Sequence, residues 1–113
     1  MRVTGGQCAG RILAVPPGLG VRPTPDKVRQ AIFNSLGPWI EDCTVLELFA
    51  GSGALSLECL SRGAASAVAV EKSSKHASYI RRNAKALETK VEVRVQCALQ
   101  AVMSLLPLLR QIQ

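Results

Sequence analysis

A chain of 113 residues with 48% hydrophobic side chains holds one domain with a modest core, and its length excludes two. Of its net charge of +6, residues 1–40 carry +4, since Arg2, Arg11, Arg22, Lys27 and Arg29 face Asp26 alone; such an excess suits a polyanionic partner or a solvated surface. No apolar run approaches the roughly 18 residues of a membrane span, and Cys8, Cys43, Cys59 and Cys97 are scattered with a single His in the chain, so a soluble, cytoplasmic protein with reduced thiols and no metal is expected.

Extended runs at residues 2–4 and 11–15 flank Gly5, Gly6 and Gly10 and predict a β-hairpin. Pro16, Pro17, Gly18, Gly20 and Pro23 forbid regular structure, after which Thr24-Pro25 reads as an N-cap followed by proline at the first helical position. Val28, Ala31, Ile32 and Leu36 recur at helical spacing up to Gly37-Pro38, which predicts an amphipathic helix over residues 25–36. Phe33, beside that stripe, and Trp39, ahead of the next strand, are expected in the core.

Val45, Leu46, Leu48 and Phe49 are apolar on both faces, as a central parallel strand requires. The run ends in Ala50-Gly51-Ser52-Gly53, and a helix follows over residues 53–62 with Ala54, Leu57 and Leu60 as its buried stripe. Residues 67–70 form a second strand ending at Glu71. A third helix, capped by Ser73 or Ser74, buries Ala77, Ile80, Ala84 and Leu87. Residues 91–95 alternate as an edge strand does, and residues 98–106 are helix-permissive but apolar nearly all round. The second and third strands fill only one side of the first. Its other edge is expected to lie open, so the chain reads as a fragment of a longer domain or one that needs a partner, with self-association across that edge as one outcome.

The glycine turn and Glu71, twenty residues after Gly51, form a nucleoside-binding pattern: the glycines let a ligand approach the backbone, and an acid at the end of the second strand accepts ribose hydroxyls. A dinucleotide fingerprint would want a third small residue at Ser56, so a nicotinamide-dependent oxidoreductase is the weaker reading. Glu47 would repel a pyrophosphate and suits a cationic group, such as the ammonium and sulfonium of S-adenosylmethionine; a helix cap or an ion pair with a nearby arginine explains it equally well. Arg22, in a loop with no packing demand, suits contact with RNA or cofactor. His76, on the polar side of its helix without a partner, takes no role.

The segments Glu-Leu-Phe-Ala-Gly-Ser-Gly-Ala at 47–54, Leu-Ser-Arg-Gly-Ala-Ala-Ser at 60–66 and Val-Glu-Lys at 70–72 resemble the RsmD-type methyltransferases. Gly5-Gly6, Gly10-Arg11, Pro16-Pro17-Gly18-Leu19, Arg22-Pro23-Thr24 and Val-Arg-Gln-Ala-Ile-Phe-Asn at 28–34 extend the resemblance over residues 2 to 98. It implies an α/β, Rossmann-like class I methyltransferase core, incomplete here: residues 1–40 as a hairpin, loop and helix extension, and residues 41–113 as the first half of the cofactor domain, ending before the fourth strand. It implies S-adenosyl-L-methionine as cofactor and guanine N2 of small-subunit ribosomal RNA as target. Glu47, Phe49, Ala50, Gly51, Ser52, Gly53 and Ala54 would line the methionine end, Glu71 would take the ribose, and Cys97 and Ala98 would border the adenine. Ribosomal RNA, or a small-subunit assembly particle, would meet Arg11, Arg22 and Arg29. The family's Asn/Asp-Pro-Pro-aromatic motif, which holds the target amine, has no counterpart in this sequence, so no residue is assigned a catalytic role and a non-catalytic RNA-binding remnant stays an alternative.

Overall fold

The computed structural model describes the backbone of residues 1–18 and 24–111, and side chains as far as residue 104. Three parallel strands form one sheet in the order β1 (Thr44–Leu48), β2 (Ser66–Val70), β3 (Glu92–Arg94). Leu46 pairs with Val68, and Val68 with Glu92. Each strand feeds a helix, α2 (Ala54–Ser61), α3 (Ser74–Ala86) and α4 (Ala98–Gln111), while α1 (Asp26–Leu36) precedes the sheet. This is the expected α/β parallel arrangement, and it carries the ends of all three strands to one side of the sheet. Among the described residues β1 pairs with β2 alone, so its outer edge is open; Leu46 and Leu48 keep 38% and 36% of their surface in solvent.

The clearest sequence signal gives the most regular packing. In α3, Ala77, Ile80, Ala84 and Leu87 at its C-cap are all buried, and Ser73 rather than Ser74 caps the helix, its Oγ accepting from the His76 amide at 3.2 Å. Gly53 has φ +79°, and a Cβ there would stand 2.8 Å from Ile80 Cγ2, so only glycine lets the start of α2 lie against α3. The hairpin is present in minimal form as an Arg2–Ile12 antiparallel bridge, with Val3 N donating to Arg11 O at 3.0 Å and Leu13 N to Met1 O at 2.8 Å. Its Val3 and Leu13 pack with Leu57, Ala84 and Leu87, so the N-terminal segment shares a core with α2 and α3. Phe33, Ile40 and Cys59 form a second cluster, where burial pushes the Cys59 thiol up to about 12.

The structure corrects several expectations. Pro25, not Thr24, is the N-cap of α1, and it makes no side-chain cap; Thr24 instead offers its carbonyl to Arg29 Nη1 at 3.0 Å. The inward face of α1 is Arg29 and Phe33, whereas Val28, Ile32 and Leu36 are between 44% and 47% exposed, because Glu58 draws the Arg29 side chain inward and turns the apolar stripe out. Trp39 is 82% exposed on the turn after α1, not in the core. In α2 the buried face includes Ser56, Glu58 and Ser61, while Leu60 is half-buried. The last helix also runs past the helix-permissive stretch of residues 98–106, through Pro107 to Gln111.

Candidate functional site

The ends of the three strands enclose a cleft of about 300 Å³, lined by Phe49 after β1, Val70, Glu71 and Lys72 at the end of β2, and Gln96 to Leu99 after β3. Phe49 holds a left-handed backbone, φ 56°, and its side chain stands 81% exposed at the mouth. A left-handed non-glycine residue costs on the order of 1–2 kcal/mol, and such strain gathers where function demands a side-chain direction. Glu71 closes the floor: Oε1 accepts from the Gly51 amide at 2.8 Å and Oε2 from the Ser73 amide at 2.8 Å. Each carboxylate oxygen retains a lone pair for a further donor. The Nε2 of Gln96 is buried and has no hydrogen-bond partner.

The structure therefore brings together Phe49, Glu71, Cys97 and Ala98, residues far apart in sequence. The remaining strand-end residues lie beneath or beside that cleft. Glu47 is 8% exposed, and its Oε1 accepts from the Ser56 amide at 3.0 Å and the Ser56 hydroxyl at 2.6 Å. Of the readings open for Glu47, the geometry supplies the cap, on the first turn of α2. Burial pushes its carboxyl up, against the hydrogen bonds from Ser56. Ala50, Ser52, Gly53 and Ala54 are buried, and Gly51 meets the cleft through its amide on Glu71. Asn83 holds the turn from behind: its Nδ2 donates to Ser52 O at 3.0 Å and Ala14 O at 2.9 Å, and its Oδ1 accepts from Ala14 N at 2.8 Å.

Among the expected RNA contacts, Arg29 is corrected. Its side chain is fully buried, with Nε 3.4 Å from Glu58 Oε1, Nη2 2.9 Å from Asp26 Oδ1, and a further Nη2 bond to Arg2 O, so no phosphate can reach it. Arg11 is exposed and donates from Nη2 to Ala86 O at 2.7 Å, at the end of α3, whose outward residues include Arg81, Arg82 and Lys85. Arg22 lies outside the described residues. Sequence reasoning passed over Gln96, Asn83 and Glu58. Only Glu58 left a signal, standing four residues before Arg62 on one helix, the spacing of an ion pair.

Against known proteins, the model of the family described as conserved hypothetical protein 95 matches residues 1–109. The ribosomal RNA small subunit methyltransferase D of Escherichia coli is 55% identical over 71 residues, 63% of this chain and 36% of that protein. The protein of the same name from Haemophilus influenzae is 37% identical over 92 residues, 81% of this chain and 48% of the relative. A solved structure of the Escherichia coli protein yhhF superposes with a TM-score of 0.82 at 39% identity, covering 90% of this chain and 55% of that one. The structure of a hypothetical protein from Thermus thermophilus gives 0.81 at 29% identity over 93% and 60%. The chain thus spans about half the length of the relatives it matches, and its sheet is an incomplete class I methyltransferase core.

Proposed function

The chain belongs to the conserved hypothetical protein 95 family, that of the RsmD-type methyltransferases, and from this premise we propose that it carries the cofactor-binding half of an S-adenosylmethionine-dependent enzyme that methylates guanine N2 in small-subunit ribosomal RNA. The observation that supports this most is the convergence of Phe49, Glu71, Cys97 and Ala98 on one cleft at the strand ends. When bound, the cofactor would supply an electrophilic methyl on a positively charged sulfur. The residues present fit it. The spare lone pairs of Glu71 can accept ribose hydroxyls, Val70, Cys97 and Ala98 offer apolar walls to a purine, and the Phe49 ring stands at the opening. Glu47 and Glu71 put two acids at the ends of neighbouring strands, each close enough that Glu71 helps push the Glu47 carboxyl up. Such a pair favours a sulfonium and disfavours a pyrophosphate. Membership of a methyltransferase family displaces the nicotinamide reading.

On the same proposal Arg11, the outward basic residues of α3 and Arg22 meet the RNA backbone; none of these residues is assigned to the target amine. No described helix is long and apolar enough to cross a membrane. Calorimetric titration with S-adenosylhomocysteine tests the cofactor half of the proposal. Binding to the wild-type chain, weakened at least about tenfold in Glu71→Ala, is expected from the loss of a charged hydrogen-bond acceptor. Absence of binding to the folded wild type would overturn it.

A further inference from the structure

One face of α3 carries charge that nothing in the fold balances. Lys75, Arg82 and Lys85, at helical positions i, i+7 and i+10, make one exposed ridge, with Arg81 exposed beside it. The helix holds no acidic residue, and no ion pair among the described residues includes any of these four cations. Helix stability does not account for them. Lys85 suits the negative C-terminal end of the helix dipole, but Lys75 sits in the first turn, where a cation opposes that dipole, and Arg81 repels Lys85 one turn on. Solubility asks for charge, not for one sign along one row. Arg11 extends the row from the hairpin, its exposed guanidinium tied to the end of α3 by a 2.7 Å bond from Nη2 to Ala86 O, with further N–H donors to spare. From Lys75 to that anchor the row spans roughly 16 Å at about 1.5 Å per residue.

We propose that this ridge is a docking surface for double-helical RNA, gripped by its phosphates and separate from the cofactor cleft; this rests on the ribosomal RNA reading above and gives the form of RNA that the face takes. Like charges held in a row on a rigid helix match a polyanion of equal regularity, and binding one relieves their repulsion. Unpaired RNA is recognised instead by stacking its bases on aromatic rings. The outward face of α3 offers no such ring: Tyr79 is half-buried, and the Arg82 guanidinium already lies over it, 5.9 Å from the ring centroid. A paired A-form stem hides its bases and presents phosphates beside a wide, shallow groove, against which a straight helix can lie. The cleft stands at the N-terminal end of α3, where Glu71 accepts from the Ser73 amide, and the ridge runs away from it. Such a surface holds a stem that neighbours the target nucleotide and reads no sequence.

The test follows the fluorescence anisotropy of a fully paired RNA stem-loop, and of an unpaired RNA of the same length, as the 113-residue chain is added over a range of salt concentrations. The chain should prefer the stem-loop. Phosphate contacts from Lys75, Arg82, Lys85 and Arg11, at about 0.9 each, should give log K against log salt a slope of about −3.6. Arg82→Gln and Lys85→Gln should each remove about 0.9 of that slope, whereas Lys27→Gln, which loses the same charge from the exposed side of α1, should leave it unchanged. None of the three should lower the ligand-free unfolding midpoint or weaken binding of S-adenosylhomocysteine, as the loss of a merely structural group in α3 would. If either α3 variant does not fold, Lys75→Gln carries the same expectation. An unchanged slope in the folded α3 variants, an equal loss in Lys27→Gln, or a preference for the unpaired RNA overturns the docking surface and leaves the ribosomal RNA reading standing. Failure of the wild type to bind either RNA overturns both.

Discussion

Replacing Glu58 by alanine tests how the N-terminal segment is held to the sheet domain. The Glu58 side chain is fully buried in α2, and every group it meets comes from a different part of the chain or from the next turn. Oε1 accepts from Thr4 N at 2.9 Å and Arg29 Nε at 3.4 Å; Oε2 accepts from Gly5 N at 3.0 Å and Arg62 Nε at 2.9 Å. In Glu58→Ala the buried Arg29 cation would keep the carbonyls of Thr24 and Arg2 but only one carboxylate, that of Asp26, whose side chain is 42% exposed, and the Thr4 and Gly5 amides would lose their acceptor. Removing one partner of a buried ion pair costs about 3–5 kcal/mol. For a chain of 113 residues each kcal/mol shifts the unfolding midpoint by roughly 4 °C, so a fall of about 15 °C is expected. Urea unfolding of Glu58→Ala, Arg29→Met and the double variant supplies the cycle, and the second substitution should cost at least about 1 kcal/mol less in the background of the first. The pH dependence follows from the carboxyl itself: burial would raise it, but the bonds from Arg62 and Thr4 outweigh burial and hold it below its ordinary 4.5. The unfolded chain then binds the proton more readily, so this contribution is present at neutral pH and is lost as pH falls below 4.5 and through the folded value. A Glu58→Ala cost under about 1 kcal/mol, with no coupling to Arg29, would refute the reasoning.

Glu47 runs the other way. Its carboxyl is raised by burial, so the folded state holds the proton more tightly and wild-type stability should decline as pH rises from 4.5 through the raised value; Glu47→Gln, which keeps an acceptor for Ser56, should be more stable at pH 7 and lose that slope in pH-resolved unfolding. Gly6 has φ +79°, and a Cβ there would lie 1.9 Å from Ser61 O. Gly6→Ala should cost about 3 kcal/mol in urea unfolding, from left-handed strain and overpacking together, and a cost within about 0.5 kcal/mol would show that the hairpin moves freely over α2. The open β1 edge, with Leu46 and Leu48 partly exposed, should make the 113-residue chain associate as its concentration rises in sedimentation velocity. Leu46→Lys should suppress that association, and a monomer at every concentration would count against it.

The sequence showed the sheet, its parallel order and the positions of its helices because strand-turn-helix patterns carry their own local signals: apolar runs, glycine turns and the Ser73 cap. Burial in α1 was less legible. Periodicity identified Val28, Ile32 and Leu36 as an apolar face, but whether a face is covered depends on what packs against it, and the buried acid on α2 selects the opposite one. Trp39 was misplaced for the same reason, an apolar residue beside a core strand with nothing laid over it. At the site, Glu71 was legible from its place at the end of the second strand, whereas Phe49 read as an apolar strand residue and entered the site only through the family resemblance; it stands 81% exposed. Gln96 was not legible, since a glutamine after an edge strand is ordinary in sequence and becomes unusual only once its amide is seen buried and unpartnered. Arg29 misled because charge counting does not distinguish a solvated cation from one neutralised inside the fold.

The most direct measurement is a titration of the isotopically labelled chain with S-adenosylhomocysteine, followed amide by amide by nuclear magnetic resonance. The proposed site predicts that saturating shifts concentrate at Phe49, Gly51, Glu71 and residues 96–98, at the ends of the three strands. A titration that leaves these amides unmoved, or moves instead those of the shallow cleft of Gly6, Gln7 and Arg62 at the C-terminal end of α2, would contradict it.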